Sequence, residues 1–86
     1  MIDATHQTDT QETAAELLAM ENRDWRWSRI RKDLSFRDSH SVELQPFSRK
    51  WIAYANGIML TTGVKPLLFD SPRAAIMAMG FRVFPA

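Results

Sequence analysis

Lys50-Trp51-Ile52-Ala53-Tyr54-Ala55-Asn56-Gly57 is the stretch on which the reading of the fold turns. Trp51, Ala53 and Ala55 fall on one side of an extended chain and Ile52 and Tyr54 on the other, the two-residue period of a strand. Asn56-Gly57 then closes it with a pair suited to a type I′ turn, whose two central positions both need positive φ. The return strand is either Ile58 to Thr62 or Val64 to Phe69, because Gly63 offers a second turn. Beyond it, Asp70-Ser71-Pro72 reads as a helix start, with polar caps and a proline at the first helical position, where its missing N–H costs nothing. Gly80 is the matching stop. Ala74, Ala75, Ile76, Met77, Ala78 and Met79 between them are apolar all round, which predicts burial on more than one face.

Upstream, Arg37-Asp38-Ser39-His40 reads as a turn, and Val42 and Leu44 alternate with Ser41, Glu43 and Gln45 as in a half-buried strand that Pro46 ends. Asn22 to Leu34 fits either period. Trp27, Ile30 and Leu34 lie on one helical stripe, while Ile30, Leu34 and Phe36 also fit an alternating strand; the reading adopted is helix to about residue 32. Asp9-Thr10-Gln11-Glu12 carries a helix start with Asp9 as N-cap, and Ala14, Leu17, Leu18 and Trp25 follow on one face, predicting a helix over about 10–23. Residues 1–8 read as a disordered lead. The fold class expected is α+β in a single domain: an N-terminal helix, a small antiparallel sheet of three or four strands, and a C-terminal helix packed on the sheet.

With 86 residues, 45% of them hydrophobic and 24% charged, the composition is that of one small globular domain. Such a chain buries only roughly 60% of the surface it exposes when unfolded, which leaves little material for a deep catalytic pocket. The net charge of +1 conceals a division at Asn22. Residues 1–22 hold five acids and no Lys or Arg, and residues 23–86 hold all eleven bases against five acids. Five of those bases fall between Arg23 and Lys32. The asymmetry implies a basic surface for a polyanion, or an acidic arm folded back on a basic body; a merely solvated basic face explains the run equally well.

Several chemistries are excluded or left without support. There is no cysteine, hence no disulfide, thiolate metal site or cysteine nucleophile. The two histidines, His6 and His40, lack the i, i+3 or i, i+4 partner of a metal site on one element. Gly57, Gly63 and Gly80 are scattered and form no phosphate loop. Ser28, Ser39 and Ser41 near His40 do not form a nucleophile elbow. No catalytic residue, cofactor or metal is expected, and the chain reads as a non-enzyme. Neither a spanning apolar run nor a signal peptide is visible, so no membrane partner and a cytoplasmic location are expected.

Lys50-Trp51-Ile52-Ala53 and Phe69-Asp70-Ser71, followed by Ala75 and Ala78, resemble the AP2-type DNA-binding domain and its mobile-element relatives. The resemblance covers residues 41–79. That family joins a Trp-x-Ala strand to a Phe-Asp-Ser/Thr helix start across the eighteen positions that also separate Trp51 from Phe69. It implies a three-stranded antiparallel sheet on an alanine-rich helix, with strands at about 41–46, 50–56 and 64–69, a loop from Asn56 to Gly63, and the sheet in the major groove. Only Lys50 and Trp51 match the family's contact positions. Its DNA-contacting arginines would align with Ser41, Leu44, Pro46 and Asn56, none of which can replace them.

These readings lead to a small non-enzymatic accessory or regulatory protein, of the kind carried by phages and other mobile elements, associating with nucleic acid. Arg29, Arg31, Lys32, Arg37, Arg49 and Lys50 would touch phosphates, and Trp27 or Tyr54 would add contact area. Trp25 and Trp51 are expected in the core. The alternative is a protein-binding inhibitor, anti-defence or anti-CRISPR-like, docking on nucleic-acid-processing machinery; a further one is a homodimer through the 72–79 helix.

Overall fold

The structure is a computed structural model and describes residues 9–83. The expected disordered lead, with His6, lies outside the described residues. Helix α1 spans Thr10–Glu21, and the Asp9 side chain caps it by accepting from the Gln11 and Glu12 N–H groups at 2.9 and 3.2 Å. Asn22 ends it: its backbone leaves the helical region, and its backbone and side-chain N–H groups both donate to the Leu18 carbonyl.

Continuation of helix to residue 32 is overturned. Residues 25–36 form a hairpin of β1 (Trp25–Ser28) and β2 (Asp33–Phe36), paired from Trp25 with Phe36 to Ser28 with Asp33. The two-residue period wins because it sends Trp25, Trp27, Leu34 and Phe36 to one face, where all four join the core. A helix would have turned Ile30 inward instead, whereas Ile30 sits in the turn, 95% exposed. That turn is closed by bonds from the Lys32 N–H to the Ser28 carbonyl and from the Arg31 N–H to the Ser28 hydroxyl.

β3 (His40–Leu44) pairs with β2, and β4 (Trp51–Ala55) with β3, all antiparallel. Asn56 and Gly57 have φ of 53° and 80°, as the type I′ turn requires. Both candidate return segments pair with β4, each along half of its free edge. β5 (Ile58–Met59) lies beside Ala55 and Tyr54, and β8 (Leu68–Phe69) beside Ile52 and Trp51. Between them the chain leaves the sheet as a two-stranded excursion, β6 (Thr61–Thr62) and β7 (Lys65–Pro66), turning at Gly63. The Asn56–Gly63 segment is therefore not a plain loop. The sheet has six strands, β8 pairing β4 beside the five-strand path β1-β2-β3-β4-β5, because residues 25–36 add two.

Helix α2 (Pro72–Ala78) starts where the sequence marks it, with the Ser71 hydroxyl accepting from the Ala74 N–H at 3.0 Å. Pro72, Ala75 and Ile76 are buried against the sheet and α1, while Ala74, Met77 and Ala78 are exposed. Burial on several faces, expected for this helix, is corrected: positions 72, 75 and 76 form a single stripe that the sheet and α1 share, and no described element covers the rest. α1 differs likewise, burying Ala15 and Leu18 and leaving Leu17 exposed.

Both helices lie on the same sheet face and enclose one cluster with Trp25, Leu34, Val42, Leu44, Trp51, Ala53 and Val83. Trp51 is at its centre, fully buried, 6.0 Å from Trp27 between ring centroids, with its indole N–H donating to Gln11 Oε1 at 2.8 Å. The opposite face carries no helix among the described residues. Among the described residues no helix is long and apolar enough to cross a membrane.

Gly57 supplies a first test of this frame. No described residue stands within 4 Å of an added Cβ, so Gly57→Ala is opposed by the positive φ. The expected loss of stability is about 1–2 kcal/mol, the left-handed penalty of an L-residue, measured by urea unfolding. An unchanged midpoint would mean that the turn is not type I′.

Candidate functional site

Seven of the eight residues singled out from the sequence separate into three places, and Lys50 stands apart from them. Arg31, Lys32 and Arg49 line one cleft at the end of the sheet where the β1–β2 turn meets the β3–β4 loop. There the acidic helix does fold back on the basic body: Glu12 pairs with Lys32 at 2.7 Å, and Arg49 pairs with both Asp9 and Glu12. Arg31 pairs with Asp33 at 3.5 Å, and Lys50 with Asp70. Four of the six expected phosphate contacts are thus already engaged with carboxylates. Arg49 holds Asp9 below the ordinary carboxylate value of 3.8. Because the folded value is the lower one, this pairing adds stability above that pH and loses it as the pH falls through the folded value.

Trp27 and Arg29 lie elsewhere, along a groove beside Glu16, Ala19 and Met20 of α1. Trp27 faces the core and packs on Trp51, so it offers no ring to a ligand on the open face.

Arg37 and Tyr54 belong to the third place, the open face of the sheet and its end. The strand register lays two rows of side chains across that face. One runs Arg26, Ser35, Ser41, Tyr54, Met59, and the next Ser28, Asp33, Glu43, Ile52, Leu68. The first row contains a cation and two small hydroxyls; both strand carboxylates fall in the second. Two contiguous clefts follow the first row. One of about 490 Å³ is lined by Arg23, Asp24, Arg26, Ser35, Arg37 and Asp38. The other, about 340 Å³, shares Ser35, Arg37 and Asp38 and continues past Ser41 to Tyr54 and Gly57. Arg37 stands at their junction, its backbone at φ 52° and its guanidinium 5.1 Å from the centre of the Phe36 ring. The Phe36 ring faces the core, so this cation–π contact holds the Arg37 head at the end of the sheet rather than over its open face.

Arg23, Arg26 and Arg37 make no ion pair with any described residue. Arg23 and Arg26 were missed in the sequence because a helix over this stretch gives neither of them a place beside a sheet face. The alternation Trp25-Arg26-Trp27-Ser28 against Asp33-Leu34-Ser35-Phe36 was the signal that places Arg26 and Ser35 side by side.

Tyr54 is half-buried and its hydroxyl lies 3.5 Å from Glu43 Oε1. Burial, and then the Glu43 carboxylate, push its phenol above the ordinary 10.0. The chain has one tyrosine, so a phenolate absorbance titration reads this residue alone. A midpoint above 10.0 is expected, moving part of the way back in Glu43→Gln; an ordinary midpoint would place Tyr54 in open solvent.

His40 is on the core side, edge-on to Phe81 at 4.8 Å and to Phe36 at 6.3 Å, with Nδ1 2.7 Å from the Ser39 hydroxyl. Among the described residues no three His, Asp or Glu side chains converge to hold a metal. Comparisons with family models, with curated proteins and with solved structures found no match. The AP2-type resemblance therefore rests on the residues quoted for it alone.

Proposed function

We propose that the chain is a non-enzymatic, nucleic-acid-associated accessory protein that holds a phosphate backbone along the open face of its sheet. The observation that carries this reading is the trough in which Arg23, Arg26 and Arg37, unpaired among the described residues, surround serine hydroxyls. Arginine forks and hydroxyls are the donors that phosphate oxygens accept from. Asp24 and Asp38 also line the trough, so the local excess is one positive charge and the affinity expected is modest. Arg31, Lys32, Arg49 and Lys50 move to a structural role, and Arg23 and Arg26 replace them. A cytoplasmic location accords with such a ligand.

The test is a titration of labelled oligonucleotide at about 50 and 200 mM salt. Three phosphate contacts lower affinity roughly fifteenfold to fortyfold over that range, from slopes of about −0.7 per contact for single strands to −0.9 for duplex. Micromolar, salt-sensitive binding supports the reading; no binding at the lower salt overturns it.

A second reading, the protein-binding inhibitor, is favoured by a different observation. Ile30 and Phe47, 95% and 98% exposed, stand on two neighbouring loops beside Arg29, Arg31 and Arg49, and exposed apolar groups among arginines suit a protein interface. The homodimer through α2 has less to build on. Its exposed side is Ala74, Met77 and Ala78, far short of the about 800 Å² per partner of a stable interface.

A further inference from the structure

We infer that the ligand of the open face is a single strand rather than a duplex, with one base stacked on Tyr54 and phosphates further along the same strand against Arg26 and Arg37. This rests on the nucleic-acid reading above and narrows it.

The first row crosses five strands, from Arg26 on β1 to Met59 on β5. Four inter-strand spacings make that about 19 Å, against a major groove about 12 Å wide. A three-stranded sheet would span about half as much and could enter the groove. The β1–β2 hairpin, which carries Arg26, widens this sheet beyond it.

Trp25, Trp27, Phe36 and Trp51 all belong to the helix-covered face, and Tyr54 is the aromatic among the described strand positions of the open face. Its cross-strand neighbour is Ser41, and beyond that Ser35. Two short side chains beside one ring leave space above the sheet for a base, and every base has a face that can stack. Paired bases inside a duplex present only their edges, so the ring has no stacking partner there.

Arg26 and Arg37 mark one end of the row, and Asp33 and Glu43 occupy the next row. Asp24 and Asp38 stand beside those arginines and Arg23 and leave an excess of one positive charge at that end, against the two carboxylates of the second row, so a polyanion is favoured along the first row. From Arg26 to Tyr54 is three inter-strand spacings, about 14 Å. A stacked single strand covers this with roughly four nucleotides at about 3.4 Å each.

The experiment measures binding of the full chain to a mixed-sequence oligonucleotide of about 12 nucleotides, as DNA and as RNA, and to the corresponding DNA duplex at about 50 mM salt. The expected result is at least tenfold tighter binding of a single strand than of the duplex, the tighter of DNA and RNA identifying its source. Tyr54→Ala lowers single-strand affinity about tenfold, and Tyr54→Phe, which keeps the ring, stays within about twofold. Ser35→Glu leaves the core untouched and places a carboxylate on the first row; it costs at least about tenfold as well. Equal or tighter duplex binding overturns the inference. So does a folded Tyr54→Ala that binds the single strand as the parent does, or, if that variant does not fold, a neutral Ser35→Glu. Arg26→Ala/Arg37→Ala separates the two levels: loss of duplex binding in a duplex-preferring protein defeats only the stacking inference. Indifference of both ligands to the arginines defeats the reading beneath it.

Discussion

Arg26→Ala combined with Arg37→Ala is expected to reduce oligonucleotide affinity by at least tenfold at low salt and to leave the fold intact. Both residues sit outside the core and neither is tied to a carboxylate among the described residues. Their removal breaks no ion pair among the described residues. The loss is therefore one of phosphate contacts, and it has a signature of its own. Each contact removed shallows the log–log salt dependence by about 0.7 for a single strand. The double variant should flatten the slope by about 1.4, so the difference from the parent narrows as salt rises. The contrasting pair is Lys32→Ala with Arg49→Ala, whose partners are Glu12 and Asp9. That pair should leave the slope unchanged, although it removes equal formal charge. If it flattens the slope instead and the Arg26/Arg37 pair does not, the interface lies at the loop end of the sheet and the open face is not the site.

Trp51→Ala is expected to be the most damaging single substitution in the chain. The residue is fully buried, packs on Trp27, pairs through its backbone with β3 and β8, and ties α1 to the sheet through Gln11. Truncating a buried tryptophan costs about 3–5 kcal/mol. A domain of 86 residues has only about 4–13 kcal/mol in total at the usual stability per residue. Circular dichroism with urea unfolding should show a variant that is largely unfolded or close to its midpoint without denaturant. A loss below about 1 kcal/mol would show that the core is not organised around Trp51.

For the same reason, removing residues 1–22 does not isolate the effect of the acidic segment. Ala15 and Leu18 of that segment are core residues, so the deletion would unmake the domain.

Much of this architecture is visible in local chemistry. Asp9 and Ser71 announce helix starts because their short polar side chains satisfy N–H groups within three residues, and Asn56-Gly57 announces a turn because its φ values need residues that tolerate them. The alternation in Trp51–Ala55 places Trp51 inside whatever the rest of the chain does. Asn22–Leu34 was not legible in the same way. Both periods fit it, and what selects the strand is the pairing of β2 with β3, which a window of a dozen residues does not contain. The return from Gly57 was open for a related reason: two segments fit beside β4, and both are there.

Helix caps, the Asn-Gly turn, the apolar α2 and the division of charge at Asn22 follow from the order of residues alone, since each depends on neighbours a few positions apart. The identity of the unpaired cations does not. Lys32 is quenched by Glu12 across 20 positions, and Lys50 by Asp70 across another 20. Arg26 and Arg37 stay available because the register sends Arg26 to the helix-free face and the β2–β3 turn holds Arg37 at its end. Coulombic pairing acts through space between elements, so composition could count eleven bases but only packing could sort them.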